Sequence, residues 1–411
     1  MDVSKVLPFF RLYYKNLNPE DLSIPQLDRR EFALWDFLSN NMIRHLAFKN
    51  SVELKEGLSK RTPRHVYYSV STYEYPFLPD MEMKKMISTN LVFDIDIDHV
   101  YTPCKEIHDS WLCRNCGNSG SGFTDSCKFC GSPSLDKLSF VCNECLEVAK
   151  SEVLKLIEDF LFADFGIKED EVKIVFSGNR GYHVHVENEE FSNLDSKARN
   201  MMIDYIKGIT ARHYFLDFLK KQKYKFKGIA SSGYPSRLAE KILEELLAAN
   251  EHDLIKIGIS EIKVKDLMAI KEKIIQSLQG YSADYGFLRS IGSKSKEIIT
   301  KAISDISVEI DERVTVDNHR LIRMPNSIHG KTGLRVTPLG YNDLDNFDPF
   351  RDSVVFKEGY ARIKIKRKLP SIKFFFGDNE FFLGSLNEAK VPIALALYLT
   401  LNEYADIYEL L

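Results

Sequence analysis

Leu91-Val-Phe-Asp-Ile-Asp-Ile-Asp98 is the stretch on which the architecture turns. An apolar run ends in carboxylates at every second position: Asp94, Asp96 and Asp98. Successive side chains of a β-strand point to opposite faces, so residues two apart share a face. Asp94 and Asp96 are therefore expected to project together from the end of a buried strand. Like charges that close are costly without a counter-ion. A divalent cation is the usual answer, and hard oxygen ligands suit Mg²⁺ or Mn²⁺. Two solvated acids at a strand end are the plainer alternative for a single D-x-D.

Downstream, all seven cysteines fall between Cys104 and Cys145, and three C-x-x-C pairs stand out: Cys113/Cys116, Cys127/Cys130 and Cys142/Cys145. Metal binding is the expected use, because no secretion leader or disulfide context accompanies them. Cys113-Arg-Asn-Cys116-Gly and Cys127-Lys-Phe-Cys130-Gly form a zinc-ribbon pattern around a Gly/Ser-rich turn. His108, four residues after Cys104, supplies an eighth ligand beside Cys104, Cys142 and Cys145. Eight ligands make two closed tetrahedral sites, which is structural rather than catalytic zinc chemistry.

The chain has 411 residues, 44% of them hydrophobic and 28% charged, enough for a large core in two or more units. No apolar run is long enough to span a membrane. The formal net charge of −3 does not advertise nucleic-acid binding, so any such contact must use local patches. Lys220–Lys227, with Tyr224 and Phe226 interleaved, and Arg362–Lys368 are the candidates. Val6–Lys49 reads as mostly helical and Arg64–Tyr73 as a strand. A helix is expected over Glu144–Phe165, a strand over Glu171–Phe176 and a second strand over Tyr182–Glu187, with His183 and His185 on one face. Residues 196–302 read as helical, Asp311–Pro338 as strands and turns, and Val391–Leu401 as an apolar helix after a short strand pair.

Between the two central strands lies Ser177-Gly-Asn-Arg-Gly181, followed by His183. Glycine permits close backbone approach to a phosphate, and arginine binds phosphate bidentately. Further on, Asp311 precedes a dense set of cationic and imidazole side chains from His319 to Lys331, as an anion beside a metal would require.

Asp94-Ile-Asp96, then Ser177-Gly-x-Arg180-Gly-x-His183, then Leu321-Ile-Arg323-x-Pro-x-Ser-x-His329-Gly-Lys-x-Gly333 resembles the small catalytic subunit of archaeal–eukaryotic DNA primases, in its archaeal form. Arg30-Glu31-Phe32, Arg44 and Pro63-Arg-His65-Val-Tyr-Tyr extend the likeness. The resemblance implies an α/β (α+β) fold: a primase-type catalytic core of mixed sheets flanked by helices, with a zinc-binding insertion and a helical subdomain. The implied division is 1–99, 147–195 and 303–411 for the catalytic core, 100–146 for the zinc-binding part and 196–302 for the helical insertion.

By the same resemblance Asp94, Asp96 and Asp311 are the catalytic, metal-binding triad for Mg²⁺ or Mn²⁺, with Asp317 the weaker choice of third acid. Ser177, Arg180, His183, Arg323 and His329 match the positions that grip an incoming triphosphate, and Arg44 and His65 look like further nucleotide contacts. Asn179 stands where some relatives carry a second arginine. Cys104, His108, Cys142 and Cys145 resemble the family's knuckle, with the Cys113–Cys130 ribbon nested inside it. Pairing Cys104/His108 with Cys113/Cys116 instead would leave Cys127, Cys130, Cys142 and Cys145 as the second site.

The implied activity is DNA-dependent nucleotidyl transfer, making short primers on single-stranded DNA from ribo- or deoxynucleoside triphosphates. The implied partner is a large subunit carrying an iron–sulfur cluster, and the expected location is cytoplasmic and nucleoid-associated. A primase–polymerase or end-joining polymerase of the same superfamily would share the triad. A non-catalytic zinc-ribbon nucleic-acid-binding protein would leave the acids and the Arg/His set without a use, and a metal-dependent phosphohydrolase would hydrolyse nucleotide rather than incorporate it.

Overall fold

The computed structural model describes residues 2–122, 124–220, 225–248, 250–256, 260–290 and 294–411. They divide into two compact units: one of 1–153, 169–196 and 311–411, the other of 154–168 and 197–310. The fold is of mixed α/β class, as expected.

Two antiparallel four-stranded sheets frame the first unit. The first runs Leu321–Arg323, His65–Ser69, Phe32–Trp35, Met42–Leu46 in spatial order, and the second runs Thr337–Leu339, Val172–Phe176, Gly181–Val186, Leu91–Asp96. The register of the second sheet sorts its two faces. Leu91↔Val186, Phe93↔Val184 and Ile95↔Tyr182 pair on one face, and all six side chains are fully buried. Val92↔His185, Asp94↔His183 and Asp96↔Gly181 pair on the other. A one-residue slip would drive the acids into the core, so burial of the apolar face fixes where the carboxylates emerge.

The N-terminal region departs from the helical expectation. The helix covers Val3–Asn16, capped by the Asp2 carboxylate on the Ser4 N–H, and sets Val6, Phe10 and Tyr14 inward at a spacing of four. Phe32–Trp35 and Met42–Leu46 are strands instead. Phe32, Ala33 and Leu34 are buried on both faces of an interior strand. A short continuous apolar run of that kind carries no period to distinguish it from a buried helix. The expected Glu144–Phe165 helix is α-helical over Asn143–Lys155 and widens to a π-helical turn over Leu156–Phe162. The wider turn leaves Leu156, Ile157, Phe160 and Leu161 all fully buried.

The two basic runs are placed differently. Arg362, Lys364, Lys366 and Arg367 lie along or beside the Tyr360–Ile365 strand and pair with Glu409, Glu388, Asp406 and Glu403 at 3.1–3.4 Å. Cross-strand partners supply alternating acids, so the ladder neutralises the run. In the other run, 221–224 lie outside the described residues, and Phe226 is core: it stacks on Phe215 at 4.6 Å and meets Tyr285 edge-on. The second unit is otherwise helical, with Tyr234–Ala248, Glu261–Gln279 and Lys294–Ile306 as its longer helices. Within it, Arg237 forks onto the Asp164 carboxylate at 3.0 and 2.5 Å.

Candidate active site

The edge strand Leu91–Asp96 presents Asp94 and Asp96 side by side on its half-exposed face. Cross-strand pairing sets His183 opposite Asp94, with Nε2 3.8 Å from the carboxylate. Gly181 opposes Asp96, and a Cβ there would fall 1.8 Å from the Ile95 carbonyl oxygen, so only glycine lets the strands close. The hairpin between them turns through Gly178 at φ +83°, where a side chain would meet His329 at 2.7 Å. The Thr332 hydroxyl donates to the Gly178 carbonyl at 2.6 Å. The hairpin and the Ile328–Gly333 segment are thereby locked together.

Asp311 arrives from a distant part of the chain. Its backbone N–H donates to the Asp94 carbonyl at 2.9 Å, and its carboxylate caps the short Glu312–Val316 helix through the Arg313 N–H at 3.0 Å. The strands and turns expected from Asp311 thus begin with this helix. Burial, then the charges of Asp96 and Asp311, push the Asp94 carboxyl up to about 7. The Asp317 carboxylate accepts from the His319 N–H at 2.9 Å. Among the described residues, the groups of His, Cys, Asp or Glu whose ligand atoms gather within 4.8 Å are both Cys/His sets, and the three acids stay more widely spaced than that.

The opposite wall comes from the first sheet. Arg323, paired with Tyr67 in register, lays its guanidinium 4.9 Å over the Tyr67 ring and donates to His65 Nδ1 at 2.7 Å. His65 Nδ1 also accepts from the Gly330 N–H at 3.0 Å. An imidazole nitrogen that accepts twice carries no proton, and burial beside Arg323 holds His65 down near 2. His329 meets the His65 ring edge-on at 5.0 Å and is likewise driven far below its ordinary range, by burial and then by Arg323. Arg180 pairs with Asp98, while its Nε and His183 Nδ1 are buried without a partner among the described residues.

Asp94, Asp96, Ser177, Arg180, His183, Arg323 and His329 all line a cavity of ≈ 290 Å³, whereas Asp311 is not on its wall. His65 stands behind Arg323 rather than on the wall. Arg44 sits on the outer strand of the first sheet, its Nε 3.0 Å from the fully buried Glu31, which Lys84 also holds. The wall further includes Tyr67, Arg320 and Asn179. The sequence analysis quotes stretches that contain Tyr67 and Arg320 but assigns neither to the site. Their signal was membership of those stretches, and only tertiary packing says which residues of a stretch turn inward.

Away from this cavity the eight zinc-type ligands gather as two sets: Cys104, His108, Cys142 and Cys145, all buried, and Cys113, Cys116, Cys127 and Cys130, half of them exposed. Sulfur–sulfur separations are 3.5 and 3.7 Å in the first set and 3.7 and 3.6 Å in the second. His108 directs Nε2 to the Cys145 sulfur at 3.3 Å and Nδ1 to Asp109 at 2.8 Å, as a histidine ligand oriented by a carboxylate does. The donors are thiolate and imidazole, a chemistry suited to Zn²⁺.

A family model described as DNA primase small subunit matches residues 134–341. The DNA primase small subunit of Picrophilus torridus is 33% identical over 98% of both chains. The chain belongs to the DNA primase small subunit family. The corresponding subunit of Pyrobaculum calidifontis is 32% identical over 98% of both chains, and that of Methanococcoides burtonii 30% identical over 87% of both. The enzyme class is accordingly DNA primase, a nucleotidyltransferase of DNA replication. No described helix is long and apolar enough to cross a membrane.

Proposed function

We propose that this primase small subunit builds short primers on single-stranded DNA by two-metal-ion nucleotidyl transfer at the Asp94–Asp96–Asp311 cluster. The observation that carries the reading is the meeting of Asp311, whose N–H donates to the Asp94 carbonyl at 2.9 Å, with the strand that sets Asp94 and Asp96 on the wall of a cavity lined by Arg180, Arg320 and Arg323; burial and the crowding of the acids push the Asp94 carboxyl up to about 7. Such a cluster is electrostatically incomplete, and its hard oxygen donors fit Mg²⁺ or Mn²⁺. Bound there, the ions would supply the acidity that activates a primer 3′-hydroxyl and the charge that stabilises a departing pyrophosphate.

The chain's own side chains act on the triphosphate. Arg180 and Arg323 offer planar guanidinium forks, and Ser177 a hydroxyl at the hairpin mouth. His183, held near 3 by burial, is neutral and offers a hydrogen bond through its unpartnered Nδ1. His329 is neutral beside Arg323, and an arriving phosphate would favour its protonation. His65 fixes Arg323 from behind; Arg44, tied to Glu31, would reach the nucleotide only from outside the cavity wall.

Zn²⁺ in each Cys/His set would stabilise the fold of 100–146. All seven cysteines lie in those sets, so an iron–sulfur cluster would belong to a separate large subunit forming a heterodimer. The proposed division keeps the catalytic core in 1–99, 147–195 and 303–411, with 196–302 as a helical insertion; the proposed location is cytoplasmic, at the nucleoid. The test is primer synthesis on single-stranded DNA with ribo- and deoxynucleotides, with and without the large subunit. Asp96→Ala should abolish nucleotide addition while circular dichroism stays native; activity close to wild type would refute the assignment.

A further inference from the structure

The first unit holds a second cavity, of ≈ 490 Å³, one step along the same strand from the first. His183 lines the catalytic cavity and His185 lines this one, with ring centroids 6.3 Å apart. His185 is 5% exposed, and its Nε2 is buried with no hydrogen-bond partner among the described residues. An unpaired buried polar atom is costly unless something outside the protein satisfies it.

The charges of the two cavities differ in kind. The catalytic cavity has Arg180, Arg320 and Arg323 on its wall. Among the described residues, the second has one Lys or Arg on its wall, Lys173, whose ammonium is drawn to the Asp170 carbonyl at 3.2 Å. Arg30, against the Tyr68 ring, is committed to the carbonyls of Pro25, Ser69 and Val70 and is not on the wall. The acidic residues on its wall are Asp21 and Glu187. Such a wall repels a triphosphate and accepts N–H donors. Its remaining surface is mostly rigid and apolar, with Pro325 and Pro338 beside the Tyr68 ring. A mostly apolar cavity of this size with a few convergent polar groups is the usual form of a small-molecule site.

We propose that this cavity binds one uncharged nucleobase, its ring against the prolines and Tyr68, one edge on His185 Nε2 and its amino group on a carboxylate. Guanine fits best, because its ring N–H and exocyclic amine form a donor pair facing an acceptor-only carboxylate. The base could come from a free nucleoside or from an unstacked position in a single strand. The site is separate from nucleotide addition and does not depend on the metal assignment.

The test uses the full-length, zinc-loaded protein with ¹⁵N-labelled histidine. Guanosine should shift the His185 ring signals, and His185→Phe should weaken binding about tenfold, the cost of one buried hydrogen bond, while nucleotide addition persists. Inosine, which lacks the amine, should bind several-fold more weakly than guanosine. His185→Gln, which keeps a neutral polar group, should retain binding and guards against a folding defect in the phenylalanine variant. An oligo(dG) strand that competes for the same signals identifies the strand as the source; failure to compete identifies the free nucleoside. Unmoved His185 signals at millimolar guanosine, equal affinity in His185→Phe, or a response only to triphosphate would overturn the proposal.

Discussion

Asp94→Asn should make the Mg²⁺- and Mn²⁺-free protein more stable at alkaline pH, because the native carboxylate is held against its own chemistry. Folding raises the Asp94 carboxyl from 3.8 to about 7, through burial and then the neighbouring Asp96 and Asp311 charges. An acid whose pKa rises on folding costs stability wherever the unfolded chain has already released that proton. The penalty is absent below 3.8, grows as pH climbs toward 7, and is complete above it. A shift of this size, at ~1.4 kcal/mol per pH unit, amounts to about 4 kcal/mol. The side chain keeps 21% of its exposure, so solvent screening brings the figure to about 2 kcal/mol.

Asparagine conserves shape and removes the ionisation, so it should recover about 2 kcal/mol at pH 8 and under half of that at pH 5. Urea unfolding followed by tryptophan fluorescence reads the relevant unit, since Trp35 and Trp111 both lie within 1–153. Adding Mn²⁺ should stabilise the wild type more than the variant, because a ligand that binds only the native state adds to its stability. Equal stability of the two proteins at pH 8, or a difference that does not change with pH, would show that the three acids do not share a field.

Gly181→Ala should destabilise by several kcal/mol, since the new methyl would sit 1.8 Å from the Ile95 carbonyl carbon's oxygen and one strand must move; thermal melting measures it, and a native melting temperature would refute the close approach. His65→Ala should raise KM for nucleotide more than it lowers kcat, because Arg323 loses its 2.7 Å acceptor while the acids are untouched; steady-state kinetics separate the two, and an unchanged KM would count against the positioning role. Cys142→Ser should cost more stability than Cys116→Ser, because the first lies in a buried ligand set and the second is exposed. Zinc content should fall by about one ion in each variant, and unchanged zinc would contradict the ligand sets.

The strand carrying Asp94 and Asp96 was legible because a period of two survives in any strand with one buried face, and the cysteine spacings were legible because a thiolate pair must bracket a tight turn. The family resemblance of the three separated motifs added Asp311, Arg323 and His329, which no local pattern could have joined to the first two acids. Phe32–Leu34 was misread because a strand buried on both faces has no alternation to show. The acids that face Arg362–Lys368 were not legible, because charge along one strand says nothing of the acids on the strands beside it. The place of Tyr67 and Arg320 on the cavity wall was not legible for the same reason: a side chain's neighbour across space is set by register and turn, not by its neighbours along the chain. Local periodicity and ligand spacing are properties of the polypeptide alone; the meeting of Asp311 with Asp94, the doubly accepting nitrogen of His65 and the unpartnered nitrogen of His185 exist only once two sheets have been folded into place.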